Sequence, residues 1–394
     1  VTVTTSFDDV VAEAVELRRA IHRDPELGTD NPRTQTRVLD ALAPLGLEVR
    51  TGRAVTSVVA DLVGGRPGPT VLLRADTDAL PMTEESGEPF ASATPGRAHA
   101  CGHDAHVAML VGAAHVLAER RDELAGTVRF MFQPGEEGFG GAAVMIEEGV
   151  LDGVSAAYAL HVSPNVPTGF VAGRAGPIMA STDDFEIVVR GSGAHASTPH
   201  FGNDPLPVAC EIVGALQTFV TRRVDAFDPA VITVGRISGG TTTNVIAERT
   251  ELAGTIRTVS ETTRSKVRAG VEHLVREIAS AHGCVAEIEL RAGYPVTRNH
   301  AEPVSLVRDV VREVLGPGRY IELPTPIMGA EDFSYVLQQV PGAMHFLGAC
   351  PADIADSLSA PSCHSNLMRI DESAIADGIR LHVATATAAL DAPA

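Results

Sequence analysis

Apolar residues in this chain follow two rhythms, and the rhythm changes partway along. From Phe7 to Arg23, Val10, Val11, Ala14, Val15 and Leu17 fall on or near one stripe, which predicts a helix. Thr34 to Leu45 predicts a second. Val71-Leu72-Leu73 is a short continuous apolar run, as expected of a strand covered on both faces. It ends in Arg74-Ala75-Asp76-Thr77-Asp78. Ala100-Cys101-Gly102-His103 leads into a helical pattern from Asp104 to Arg120. Val128 to Phe132 predicts another core strand and runs into Gln133-Pro134-Gly135-Glu136-Glu137-Gly138. A helix follows from Gly141 to Glu148. Val154 to Leu160 predicts a third strand, ending at His161. This alternation predicts an α/β fold, a mixed sheet with helices on both faces.

From about residue 178 the order becomes β-α-β-β-α-β. Phe185–Val189, Val231–Ile237, Val245–Arg257 and Val285–Leu290 read as strands, and Pro205–Arg223 and Thr263–His282 as helices. That order is the ferredoxin-like α+β arrangement. After Pro295 the α/β character returns, with a helix from Pro303 to Leu315 and the apolar Met344 to Leu347. The expected organisation is a first catalytic part over 1–177, an inserted small domain over 178–293 and a second catalytic part over 294–394.

Composition narrows the function classes. The 394 residues are 44% hydrophobic and 21% charged, with a formal charge of −19. Such acidity argues against a nucleic-acid partner, which calls for a basic face, and against anionic membranes. Val1 to Asp9 lacks the basic and apolar regions of a signal peptide. The five cysteines are scattered and odd in number, so they form no disulfide framework; a reducing cytoplasm is the expected compartment.

The chemistry sits where strands end, the place where α/β sheets gather ligands. Cys101 and His103 are two apart before a helix, a pairing suited to zinc and its neighbours. The helix N-terminus is expected to help keep the thiol deprotonated. His99 or His106 can substitute as ligand, and Asp104 is expected to orient His103. Glu136 and Glu137 are adjacent, so one can hold a metal while the other moves a proton. A solvated acidic turn is the plainer reading of that pair, and a packed core histidine the plainer reading of His161 or His364. Asp76 and Asp78 fit as ligands, as orienters of ligands or as strand-end caps. Each plain reading holds singly; their recurrence at successive strand ends favours a metal centre. In the small domain His195 and Asn244 can donate to an oxyanion, and Arg257 can grip a carboxylate.

Taken together these segments resemble the metal-dependent aminoacylase and carboxypeptidase G-like amidohydrolases, closest to the branch of hippurate hydrolase, N-acyl-amino-acid amidohydrolases and plant auxin-conjugate hydrolases. The matching stretches are His22-Arg23-Asp24-Pro25-Glu26-Leu27, Arg74 to Pro81, His99 to Asp104, Gln133 to Gly138, Leu160-His161-Val162, Gly193 to Ala196 and Met328 to Phe333. The resemblance implies a zinc-exopeptidase-like catalytic domain holding two divalent ions per subunit, of zinc, manganese, nickel or cobalt. It implies Cys101, His103, Glu137, His161 and His364 as ligands and Glu136 as the catalytic base. It also implies a homodimer through the inserted domain, with His195 and Asn244 reaching the partner's site. The expected reaction is hydrolysis of an N-acyl amino acid to a carboxylic acid and a free amino acid. A dipeptidase, a deacetylase of N-acetylated diamino acids, or a non-catalytic binding protein keeping the fold are the alternatives. Two places depart from the family pattern. Cys363 precedes His364 and Ser365-Asn366 follows it where a proline is common, and the segment after Leu27 lacks the usual acidic residue.

Overall fold

A computed structural model describes residues 6–392; the first five residues of the Val1–Asp9 stretch read for a signal peptide lie outside them. The chain divides into two compact units. One comprises the chain up to Ile178, Arg298–Thr325 and Asp332 onward; the other comprises Met179–Thr297 and Pro326–Glu331. The hydrophobic pattern does not mark Pro326–Glu331. Backbone bonding explains its place, because the Ala180 N–H donates to the carbonyls of Ile327 and Gly329.

The larger unit is built on an eight-stranded mixed sheet. Its order is Glu48–Thr51, Val58–Val63, Ala125–Gln133, Arg66–Asp76, Val154–Ser163, Gly342–Gly348, Val171–Gly173 and Tyr320–Glu322. Arg66–Asp76 is parallel to both neighbours, and Gly342–Gly348 is parallel to Val154–Ser163. Six consecutive residues, Val71 to Asp76, are buried, so both faces of that strand are covered. The helix His103–Glu119 is predominantly apolar and mostly buried, as a central helix must be. It packs against the helices Phe7–Arg23 and Ala374–Asp391. The first of these begins at a capping box, Ser6 with Asp9.

Elements differ from the expectation where local chemistry intervenes. The second helix runs Pro32–Leu42 and tightens to a 3₁₀ turn over Ala43–Leu45, at Pro44, which has no N–H to continue the ladder. The exposed edge strand Glu48–Thr51 has no apolar face and escaped the pattern.

The smaller unit is ferredoxin-like. Its strands lie in the order Val285–Ala292, Ser181–Arg190, Arg249–Thr258, Ala230–Gly239, all antiparallel. Phe185, Ile187 and Val189 alternate inward and meet Ile212 and Leu216 of Pro205–Arg223 and Val267, Val271 and Val275 of Glu261–Ala281. Buried Asp183 accepts both Nε and Nη2 of Arg264, each at 2.8 Å. The expected strand from Val245 begins only at Arg249, because Val245 makes a single bridge to His195 and leaves the sheet.

Candidate metal centre

Parallel strands deliver their carboxyl ends to one edge of the large sheet, and the sequence places donor side chains there. Two of the donor groups in the larger unit share Cys101, one with His103 and His161 and one with Glu137 and His364; within each group the ligand atoms lie within 4.8 Å of one another. Cys101 is common to both. Its Sγ is 3.4 Å from His161 Nε2. Glu136 lies in a third group with His103 and Glu137 and is buried.

Each imidazole is aimed by its other nitrogen. His103 Nδ1 donates to the Asp78 carbonyl at 2.8 Å, which turns Nε2 inward, buried and without a hydrogen-bond partner. His161 Nδ1 donates to the Val162 carbonyl at 2.7 Å, leaving Nε2 toward Cys101. His364 Nε2 stands 3.2 Å from Glu137 Oε1, yet that buried oxygen has no hydrogen-bond donor. His364 is the one non-glycine residue with positive φ among the described residues, at 71°. A strained backbone held by its surroundings is common at functional sites.

Asp78 sets the glutamate pair. Its carboxylate accepts the Glu136 N–H at 2.9 Å and the Glu137 N–H at 3.0 Å. Asp76 accepts from His106 Nδ1 at 2.5 Å, and His106 Nε2 accepts the Val162 N–H at 2.8 Å. Both nitrogens of His106 are thereby engaged, although it also forms a donor group with Asp76 and His103. His99 is buried beside His22 with neither nitrogen bonded, and among the described residues it joins no donor group.

One expectation is corrected. Asp104 does not orient His103; its Oδ2 accepts Arg18 Nε at 2.9 Å and His22 Nδ1 at 2.8 Å, and the Asp78 carbonyl orients His103 instead. The Cys101 thiol, hydrogen-bonded to Cys363, buried and facing Glu137 and Glu136, is pushed well above the usual thiol range. Cys363 is pulled down to about 6 by the Cys101 thiol, against its burial.

The electrostatics call for positive charge. Burial works against a charged His103, but Asp76, Asp78 and Glu137 raise it to about 10. A pocket that would charge a buried imidazole, with an orphaned nitrogen and carboxylate oxygen pointing into it, is one that a cation satisfies. The donor set of thiolate, imidazoles and carboxylate fits zinc, nickel, cobalt or manganese.

Gly102 lets Cys101 and His103 face the same centre. Its φ is +84°, and an added Cβ would lie 2.2 Å from Val162 Cγ2. Gly102→Ala is expected to cost at least about 1–2 kcal/mol from the left-handed backbone alone, read by urea unfolding; unchanged stability would refute this.

Sequence reasoning missed the web beneath the site. Buried Arg74 donates Nε to Gln133 Oε1 at 2.9 Å, Nη1 to Asp76 Oδ2 at 2.5 Å and Nη2 to Asp332 Oδ1 at 3.0 Å. Asp332 also accepts Gln133 Nε2 and the Ala142 N–H. The available signal was an arginine directly after an apolar strand, where an unpaired charge is costly.

In the smaller unit His195 is exposed, with Nδ1 accepting from Ser197 at 2.7 Å. Asn244 is on the adjoining loop, its carbonyl accepting the Ala196 N–H. Arg257 is elsewhere. It pairs with Thr182 on the strand whose other end, Arg249, pairs with Arg190 beside that loop. Eight residues of strand separate the two ends by roughly 26 Å, so one copy does not bring Arg257 to His195.

A parallel-centred sheet with cation-type donors at its strand ends, interrupted by a ferredoxin-like insertion, is the layout of a metal-dependent hydrolase. Residues 72–388 match the model of peptidase family M20/M25/M40, and the chain belongs to that family. It is 42% identical to thermostable carboxypeptidase 2 of Saccharolobus solfataricus, over 85% of each chain. It is 39% identical to the N-acetyl-L-cysteine deacetylase of Bacillus subtilis, over 85% of this chain and 80% of that one. It is also 39% identical to the IAA-amino acid hydrolase ILR1-like 2 of Arabidopsis thaliana, over 94% and 84%. Among solved structures it resembles the Bacillus subtilis YXEP protein, described as a dinuclear metal binding peptidase from the M20 family. The TM-score is 0.84 at 32% identity, covering 98% of this chain and 99% of that one.

Proposed function

We propose that this chain is an N-acyl-amino-acid amidohydrolase with two divalent ions held by Cys101, His103, Glu137, His161 and His364. The observation that carries this reading is the pair of donor groups sharing Cys101 beside Glu136. When bound, the ions supply Lewis-acid polarisation of the amide carbonyl and an acidified water. Glu136 takes the proton of the attacking water and returns it to the leaving amine, serving as base and then acid. Asp78 holds both glutamate N–H groups, so the base and its ligand neighbour stay in register. The relatives include an N-acetyl-L-cysteine deacetylase and an IAA-amino acid hydrolase, which supports small acyl conjugates as substrates.

The second part of the reading is a homodimer through the ferredoxin-like unit. Ala230–Gly239 is an edge strand with Val231 44% and Ile237 48% exposed, a surface suited to a second copy. His195 and Asn244 would serve as oxyanion donors in the partner's site, and Arg257 as a separate carboxylate contact. A cytoplasmic location is part of the proposal; no helix among the described residues is long and apolar enough to cross a membrane.

The test is a panel of benzoyl, acetyl and indoleacetyl amino acids on metal-defined protein. Stripped protein is expected to be inactive, and zinc, manganese, cobalt or nickel to restore hydrolysis. Ion binding without hydrolysis of any conjugate would favour a binding protein instead.

A further inference from the structure

We infer that Cys101 and Cys363 form a peroxide-sensitive thiol pair whose disulfide withdraws the shared thiolate from the metal centre. The inference rests on the reading of Cys101 as a ligand.

Backbone geometry brings the two together. The His364 N–H donates to the Ala100 carbonyl at 2.6 Å. That backbone bond sets Cys101 and Cys363 beside each other across the two segments; a disulfide spans roughly 4.4–6.8 Å between Cα atoms. The side chains turn to the same side. Cys363 Sγ is 4.0 Å from the Cys101 carbonyl and 3.9 Å from the Val162 carbonyl, the group that also receives His161 Nδ1. Cys363 is half-buried, whereas Cys101 is buried. Cys284 and Cys350 are buried with no thiol neighbour of this kind, and Cys210 is exposed on a helix of the smaller unit.

The chemistry balances with a hydroperoxide as oxidant. One thiolate attacks the peroxide oxygen and breaks the O–O bond, giving a sulfenic acid and an alkoxide that is protonated to the alcohol. The second thiol attacks that sulfur and expels hydroxide, which leaves as water with the thiol's proton. The two sulfurs lose two electrons in total and the O–O bond gains them. A thiolate tied up in a disulfide is no longer an anionic ligand, and the two donor groups that share Cys101 lose it together.

Zinc-loaded protein in a C210S background, treated with one equivalent of hydrogen peroxide, tests this. A linked Cys101–Cys363 peptide is expected in the mass map, together with zinc release to a chromophoric chelator. Dithiothreitol and added zinc should reverse both. C363S is expected to keep basal zinc content but form no link, and its peroxide-driven zinc loss should not be recovered by thiol. Oxidation of Cys101 without a linked peptide, a link that releases no zinc, or equally reversible zinc loss in C363S would each overturn the inference. None of these readouts uses a substrate. Hydrolysis without the link sinks this inference alone; the link without hydrolysis sinks the proposed reaction alone.

Discussion

Replacing Glu136 by glutamine is expected to lower kcat by about 10²–10⁴-fold, the usual contribution of a positioned acid–base group. The amide keeps the size of the side chain but cannot take a proton from water. Bound metal and melting temperature should stay near those of the parent, because Glu136 stands outside the two donor groups that share Cys101. The check is steady-state kinetics on protein of measured metal content. Near-parental turnover would remove Glu136 from the proposed chemistry. Loss of metal alongside activity would make it a ligand instead.

The second large effect is on stability. Asp104 is fully buried and accepts from two buried cations, Arg18 and His22. Asp104→Ala removes their shared partner, leaving Arg18 only Glu372 and His22 only Glu84, and breaking a buried pair from one side costs about 3–5 kcal/mol. Denaturant unfolding reads this directly. The same cluster predicts a pH dependence. Burial alone would lower the His22 pKa, but the charge and hydrogen bond of Asp104, with Glu84 on the other nitrogen, raise it to about 9. A group whose folded pKa is raised stabilises most below its ordinary value. The contribution of His22 is therefore complete below about pH 6.5 and is lost as pH climbs through 9. The loss should be on the order of 3 kcal/mol, and H22Q should flatten it. A parental stability curve that is level from pH 6.5 to 9 would contradict the assignment of charge to His22.

Much of the centre was legible because its residue types are costly anywhere else. A cysteine and a histidine opening a helix, with another histidine and paired glutamates at the ends of apolar runs, have few structural uses in common, and strand ends are where a parallel sheet exposes them. The ferredoxin-like insertion was legible because its alternation of strands and helices is local. Other features were not readable. Asp104 follows His103 in the chain, yet its carboxylate turns away to Arg18 and His22, whereas the orienting carbonyl comes from Asp78, 25 residues earlier. His106, which the sequence offered as a substitute ligand, spends its two nitrogens on Asp76 and the Val162 N–H.

By itself the sequence determined the central strands and helices that carry a clear apolar pattern, which residue types gather near the strand ends, and that an α+β domain interrupts an α/β one; it did not mark the edge strand Glu48–Thr51 or the helix Ala374–Asp391. The features it did determine follow from side-chain periodicity and composition, which act over a few residues. Only the tertiary structure decided which nitrogen of each histidine points inward, that Arg74, Gln133 and Asp332 brace the site, that Arg257 lies far from His195 within one copy, and that Cys363 meets Cys101. Those depend on contacts between residues tens to hundreds of positions apart, where direction and burial are set by packing.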